Sequence, residues 1–212
     1  MMKRLRITLI GDGSSDKTLI FVVKWLLDDL FPRLPVSIDF ADFRGLLSPP
    51  SKANSNEQVK AAIKYYPFDL LVYHRDAETN NIESVEQRKN EILEQLHESY
   101  KETVICIVPV KMMETWLLIN ADAIKRAAGN RNYRIEVGLP ALNKLEKETN
   151  PKEKLHQELK KTSGLKGRKL DKFNVYQAVH LVAEYIVDFS PLRQLEAFRI
   201  FEQDLKTAIN EL

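Results

Sequence analysis

Carboxylate side chains stand directly after three short apolar runs of this 212-residue sequence, at the points where the runs give way to polar residues. They are Asp12 and Asp16 after the first run, Asp76 and Glu78 after a central run, and Glu114 after a later run. If the runs are parallel strands of one sheet, their carboxyl ends share an edge and the acids meet in one crevice. Converging carboxylates repel one another unless a cation neutralises them, and Mg²⁺ does this while bridging to phosphate. The pattern therefore predicts a divalent-metal site, although each acid taken alone could equally be a helix cap or a first-turn acid.

The first acids lie in the sequence GDGSSDKT, residues 11–18, which also matches part of a phosphate-binding loop. Gly11, Lys17 and Thr18 occupy the expected positions, but Asp16 stands where a glycine is needed for the backbone to curl around phosphates. A carboxylate at that position repels the phosphates. We interpret the stretch as an acidic turn in which Asp12 faces a metal ion and Asp16 helps to begin the next helix.

Apolar patterning predicts the elements that position these acids. Strands are predicted at 5–10, 36–43, 69–73 and 103–108, and helices at 18–31, 56–66, 83–100 and 112–120. Later in the chain only helices are predicted, at 151–162, 171–189 and 191–212. Strands that are apolar throughout and alternate with helices are typical of a parallel sheet covered on both faces. The predicted fold class is α/β, with a mainly parallel sheet flanked by helices in 1–122 and an all-helical C-terminal extension, 123–212, packed on the same core.

Overall charge does not indicate a nucleic-acid-binding protein, because 32 basic and 30 acidic residues leave a net charge of +2. A local basic patch is present, since residues 160–172 hold six basic side chains and one acid. Lys166, Arg168 and Lys169 from this patch, together with Arg75, are the predicted nucleic-acid contacts. The alternative for the patch is an ordinary solvated loop.

The single cysteine, Cys106, lies in an apolar run and is predicted to be a buried thiol without a disulfide partner. No apolar run is long enough to cross a membrane. These features favour a protein of the reducing cytoplasm that has no membrane partner.

Three short motifs resemble those of a known family. The motifs DGSSD (12–16) and HRDAE (74–78), each after a strand, resemble the Toprim domain, the metal-dependent catalytic module of topoisomerases, primases and overcoming-lysogenization-defect nucleases. The segment VKMMETWLL (110–118) resembles a narrower branch, a bacterial Toprim-like family of unknown function with a Glu-x-Trp-Leu motif after the fourth strand. The segment SPLRQLEAF (190–198) is similar to the ending of that family.

The resemblance implies roles for individual residues. Asp12 takes the place of the family's general acid or base, a glutamate, and is one methylene shorter. Asp76 corresponds to a metal ligand and Glu114 to a further ligand. His74 replaces the first acid of the usual Asp-x-Asp pair, and imidazole suits Zn²⁺ or Mn²⁺ better than Mg²⁺. Glu78 or Glu114 would supply the missing charge, so the expected ligands are Asp12, Asp76, Glu78 and Glu114.

The expected function is that of a Mg²⁺- or Mn²⁺-dependent phosphodiester hydrolase, a nuclease, with Asp12 and Lys111 as catalytic residues and Arg75 stabilising negative charge. The resemblance further implies an AAA-type ATPase partner and a role in defence against phage or plasmids. The alternatives are a catalytically reduced binding or regulatory subunit of an ATPase complex, and a phosphate-transfer enzyme acting on nucleotides. Whether the chain forms a homodimer is left open.

Overall fold

A four-stranded, fully parallel sheet forms the centre of the protein over the part of the chain that the computed structural model describes, residues 4–212 without the side chain of Ser14. The strands are β1 (Leu5–Ile10), β2 (Val36–Phe40), β3 (Leu70–His74) and β4 (Val104–Ile107), in the order β2-β1-β3-β4. Every residue of β3 and β4 is buried, as expected for strands covered on both faces. The prediction of an α/β protein with a parallel sheet flanked by helices is confirmed.

Nine α-helices accompany the sheet within the described range. They are α1 (Leu19–Leu30), α2 (Ser55–Tyr65), α3 (Glu83–Gln95), α4 (Glu98–Lys101), α5 (Ala121–Ala127), α6 (Pro151–Ser163), α7 (Arg168–Asp171), α8 (Val175–Tyr185) and α9 (Glu196–Asn210). Short 3₁₀ turns occur at Ser14–Thr18, Phe43–Gly45, Met113–Leu117, Leu142–Lys147 and Ser190–Gln194.

Several elements differ from the predicted ones because polar side chains cap new turns inside apolar patterns. The predicted helix 112–120 is a 3₁₀ turn followed by α5, because the Asn120 side chain accepts a hydrogen bond from the backbone N–H of Ala123 at 2.9 Å. The predicted helix 171–189 begins later, as α8, where the Asn174 side chain accepts from Gln177 N–H at 3.1 Å. Such caps fix where a helix starts, whereas apolar spacing only shows that a helix is present.

The helices of the C-terminal part pack on the same apolar core as the sheet. Helix α8 lies against α1 and α5, and α9 lies against β4. The indole ring of Trp116 meets Phe198 of α9 edge-on, with 5.2 Å between ring centroids, and Phe201 at 6.3 Å. The predicted boundary at residue 122 stays a prediction, and residues 1–3 of its first part lie outside the described range.

None of the helices described between residues 4 and 212 is both long and apolar enough to cross a membrane.

Candidate functional site

The direction in which strands are added to the sheet reverses between β1 and β3. The chain first places β2 on one side of β1, then crosses to place β3 and β4 on the other side. In open parallel sheets a crevice forms beyond the carboxyl ends of the strands at such a reversal, and ligands bind there. The turn after β1 carries Asp12 and Asp16, and the loop after β3 carries Asp76, so these acids border that crevice.

His74, the last residue of β3, lies at the centre of the acidic group and is 1% exposed. Its Nδ1 is 3.0 Å from the carbonyl oxygen of Ile107, which can only accept, so Nδ1 carries a hydrogen. Its Nε2 is 3.4 Å from Asp76 Oδ1 and 3.8 Å from Asp16 Oδ2. A proton on Nε2, a proton on a facing carboxyl group, or a cation between Nε2 and the carboxylates satisfies these atoms.

Asp16 is the acid whose charge acts on each of the other three acids of the group. Its negative charge contributes to raising the pKa of Asp12, Asp76 and Glu114. Its own side chain is buried and is held by the turn, since Oδ2 accepts from Gly13 N–H at 3.0 Å. The prediction that Asp16 takes part in starting the next helix agrees with its place in the 3₁₀ turn Ser14–Thr18, which leads into α1.

The carboxyl groups of Asp76 and Glu114 have limited access to solvent. Burial raises the pKa of Asp76 to about 6, and the charges of Glu114 and Asp16 add to this, while His74 and a hydrogen bond from Met113 N–H at 2.8 Å act against it. Burial also raises the pKa of Glu114, which is 5% exposed. Carboxyl groups whose pKa is raised by burial and by neighbouring acids are common at functional sites.

Asp12 lies at the rim, where basic groups approach it. Its Oδ1 is buried without a hydrogen bond, and Arg75 Nε lies 3.3 Å away as an ion pair. The backbone carbonyl of Asp12 accepts from Lys52 Nζ at 2.6 Å, and Arg75 in turn donates to the Lys52 carbonyl. Burial raises the pKa of Asp12, and the positive charge of Arg75 opposes this shift.

Glu78 and Lys111 face each other beside the crevice rather than into the acidic group. The Glu78 carboxylate is mostly exposed, and its Oε2 is 3.4 Å from Arg88 on α3. Lys111 Nζ donates to the backbone carbonyl of Glu78 at 2.9 Å. Both side chains are therefore engaged in holding the loops after β3 and β4.

The other predicted nucleic-acid contacts lie in α7 and the turn before it. Lys166, Arg168 and Lys169 are exposed there. Within the described part of the chain none of them forms an ion pair with an acid. The predicted set is thus divided, with Arg75 at the crevice and the other three on a separate exposed segment.

The acidic group could supply only some of the ligands of a cation and would leave the rest of its coordination open. Among residues 4–212, no three His, Cys, Asp or Glu side chains are close enough to form a metal site by themselves. Mg²⁺ commonly uses one or two carboxylates and completes its coordination with waters and substrate phosphates. Asp12 Oδ1, which has no hydrogen bond, and the half-buried Asp76 carboxylate are oxygen donors of that type. Carboxylate oxygens are ligands for Mg²⁺ and Mn²⁺, whereas an imidazole such as that of His74 suits Mn²⁺ better than Mg²⁺.

Two clefts border the acidic group. One, of about 600 Å³, is lined by Gly11, Asp12 and Gly13 together with Phe40, Phe43 and Lys52. The other, of about 650 Å³, contains Met112 and Lys152, and Lys152 Nζ lies 3.8 Å from Glu114 Oε1. A polymer or a nucleotide could therefore approach the acids from either side.

Two basic residues of the site, Lys52 and Lys152, were not predicted from the sequence. Lys52 stands in the turn-rich segment SPPSKANSN (48–56), where it has the appearance of an ordinary loop residue. Lys152 lies in the first turn of α6, far along the chain from Glu114. Neither has a local sequence signal, because only the tertiary packing brings each lysine to an acid.

No model of a known protein family, no curated protein and no solved structure matches this chain.

Proposed function

We propose that this protein is a divalent-metal-dependent phosphodiester hydrolase, a nuclease with a Toprim-like fold and a helical C-terminal extension. The observation that carries the proposal is the convergence of Asp12, Asp16, Asp76 and Glu114 around the buried imidazole of His74. Buried like charges destabilise a protein unless they are matched, so their presence at a ligand-binding edge argues for a cationic ligand.

In the proposed mechanism Asp76 and His74 would provide ligands to a metal ion, and the nearby charges of Asp16 and Glu114 would help to neutralise it. Water and substrate would complete its coordination. A bound divalent ion supplies positive charge that stabilises the developing charge on a phosphodiester and makes water more acidic. His74 is oriented for this role by the bond from Nδ1 to the Ile107 carbonyl.

Asp12 is the proposed general base. Its carboxylate lies at the rim, and burial raises its pKa, which improves its ability to take a proton from water. Arg75 and Lys52 stand beside it and offer positive charge to the phosphate oxygens. In hydrolysis the water oxygen bonds to phosphorus, the ester P–O bond breaks, and the proton held by Asp12 passes to the leaving alcohol.

The predicted roles of Lys111 and Glu78 take a modified form in this proposal. Lys111 acts through the backbone of Glu78 by holding the loop that presents Asp76. A partner ATPase of the AAA type, and a role in defence against phage or plasmids, remain proposals that rest on the family resemblance alone.

A second candidate is a binding or regulatory subunit with little catalysis. It is favoured by the 3.3 Å ion pair between Arg75 and Asp12, because a guanidinium already neutralises the general base. A third candidate, a nucleotide-directed phosphate-transfer enzyme, is favoured by the cleft at Asp12, which is lined by aromatic Phe40 and Phe43.

One experiment separates the three candidates. Purified protein is incubated with supercoiled DNA, single-stranded RNA or a nucleoside triphosphate in Mg²⁺, Mn²⁺ or EDTA, beside Asp76→Asn and the control Asp122→Asn, which changes an exposed acid of α5. Metal-dependent polymer cleavage that Asp76→Asn abolishes and Asp122→Asn retains supports the hydrolase. Metal-induced stabilisation without cleavage supports the binding subunit, and turnover of the nucleotide alone supports the third candidate. If Asp76→Asn changes neither metal binding nor activity, the site is misassigned.

A further inference from the structure

A groove between α6 and α8 lies next to the acidic group and has features that the proposed hydrolase site does not use. It is the cleft of about 650 Å³ that contains Met112, and its walls include Lys152, His156 and Lys160 of α6 and Tyr176 of α8. Lys152, His156 and Lys160 are four residues apart, so they lie along one face of the helix. We call this cleft the α6–α8 groove.

The groove carries positive charge that leads toward the acids. Lys152 joins it to the crevice through the 3.8 Å contact with Glu114. Within the described residues Lys160 has no acidic partner. One acid, Glu153, also borders the groove, and it accepts a hydrogen bond from Gln157 at 2.9 Å. The groove therefore offers two lysine ammonium groups to an anion that extends toward Glu114.

The groove also presents an aromatic surface. Tyr176 is 69% exposed, although large apolar rings usually pack inside. Its ring meets His156 edge-on, with 5.5 Å between centroids and an interplanar angle of 86°. The high exposure of the tyrosine ring leaves aromatic surface available for stacking.

His156 adds an unmatched hydrogen-bonding atom. Its Nε2 is buried and has no hydrogen-bond partner. Burial lowers the pKa of His156, and the charges of Lys152 and Lys160 lower it further, so the ring is neutral at pH 7.

We infer that the α6–α8 groove binds single-stranded nucleic acid, with Lys152 and Lys160 on backbone phosphates and a base stacked on Tyr176. A single strand is favoured over a duplex because a tyrosine ring stacks only on a base that has left its own stack. The inference rests on the proposed function, for which it supplies the substrate class and the direction from which the strand reaches Glu114.

Binding of a fluorescent twelve-nucleotide oligo-dT is measured by anisotropy in EDTA, so that neither metal nor cleavage is involved. Tyr176→Ala should weaken binding by about tenfold, because a base loses its stacking partner. Tyr176→Phe keeps the ring and should bind like the wild type. The matched control is Tyr65→Ala, which removes another exposed tyrosine beside a lysine, on α2, and should leave binding unchanged.

The dependence of binding on salt tests the lysines separately. Lys160→Gln should reduce the slope of log affinity against log salt by about 0.7, the value for one phosphate contact on a single strand. A DNA hairpin of equal charge should bind more weakly than oligo-dT. Equal binding of hairpin and oligo-dT, equal effects of Tyr176→Ala and Tyr65→Ala, or no binding by the wild type would overturn the inference.

The proposal for the groove and the proposal for the hydrolase can be tested independently. Asp76→Asn should still bind oligo-dT in EDTA, since Asp76 lies outside the groove. Ring-dependent binding without any metal-dependent cleavage would retain the groove and remove the hydrolase. Cleavage that is the same in the wild type and Tyr176→Ala, with no effect on oligo-dT binding, would retain the hydrolase and remove the groove.

Discussion

Glu78 and Lys111 bind each other's backbone across two neighbouring loops, and both have left-handed backbone conformations. The Glu78 N–H donates to the Lys111 carbonyl at 2.9 Å, and Lys111 Nζ donates to the Glu78 carbonyl at 2.9 Å. Their φ angles are 65° and 63°. Such a conformation costs a residue with a Cβ atom about 1 kcal/mol or more, which these reciprocal hydrogen bonds help to offset. The pair connects the loop that carries Asp76 to the segment that leads to Glu114.

Glu78→Gly should leave the free energy of unfolding unchanged or raise it by up to about 1 kcal/mol. Glycine adopts the left-handed conformation without strain and retains both backbone hydrogen bonds. The matched control is Glu86→Gly in the first turn of α3, which should cost about 1 kcal/mol because glycine is a poor helix former. Urea unfolding measures both. A larger loss of unfolding free energy in Glu78→Gly than in Glu86→Gly would show that the contacts of the Glu78 carboxylate outweigh the relief of its backbone strain.

Asp76 should make the metal-free protein less stable as pH rises from about 4 to about 6. Its folded-state pKa of about 6 is above the ordinary 3.8, so in this range the folded state binds more protons than the unfolded state. Its side chain is 36% exposed, and solvent screening therefore limits the loss to about 1 kcal/mol.

Asp76→Asn removes this titration and keeps an oxygen that can accept from Met113 N–H. In EDTA the variant should be more stable than the wild type at pH 7 by about 1 kcal/mol, and the difference should vanish near pH 4. Urea unfolding at both pH values is the measurement, with Asp122→Asn as the exposed control. A variant that is less stable than the wild type at pH 7 would contradict the interpretation that the Asp76 carboxylate is destabilised by burial and by the neighbouring acids.

Gly11→Ala should lower the free energy of unfolding by about 1–3 kcal/mol, the usual cost of overpacking. A Cβ atom at Gly11 would lie 2.6 Å from Asp16 Cβ and 2.7 Å from Asp16 Oδ2. Gly45→Ala is the control, because a Cβ there meets nothing within 4 Å, and its effect should stay within about 0.5 kcal/mol. Equal stability of the two variants would mean that Asp16 moves aside without cost.

Cys106 should not react with a thiol reagent in the native protein. The residue is 3% exposed, and burial raises the pKa of its thiol to about 12, so the reactive thiolate is scarce. Labelling should be complete only after unfolding in urea. An added cysteine at the exposed position 28, Asp28→Cys, should label at once under native conditions. Fast native labelling of Cys106 would show that β4 opens readily.

The sheet was predictable because its strands are apolar runs that end at clear signals. The predicted strand 5–10 coincides with β1 (Leu5–Ile10), which ends at Gly11. The predicted strand 36–43 was longer than β2, because the Asp42 side chain accepts from Arg44 N–H at 3.1 Å and begins a turn. The predicted helix 83–100 is divided into α3 and α4, since His97 caps a new turn by accepting from Ser99 N–H at 3.3 Å.

Only the part of the candidate site that directly follows the strands could be predicted from the sequence. Asp12, Asp76 and Glu114 follow strands, so the topology alone places them along one edge of the sheet. The central position of Asp16 depends on the close approach of its side chain to Gly11. His156 stands among charged residues of α6, yet its Nε2 is buried. That environment is created by helix packing, which the charged sequence of α6 does not reveal.

The contact between Trp116 and the rings of Phe198 and Phe201 has a consequence for biosynthesis. Glu114 is two residues from Trp116, and the indole ring packs against a helix that the ribosome makes much later than β1, β3 or any acid of the crevice. A nascent chain that has not yet produced α9 carries every carboxylate but lacks the aromatic support behind Glu114. The packing behind Glu114 is therefore completed only after all four strands of the sheet have been synthesised.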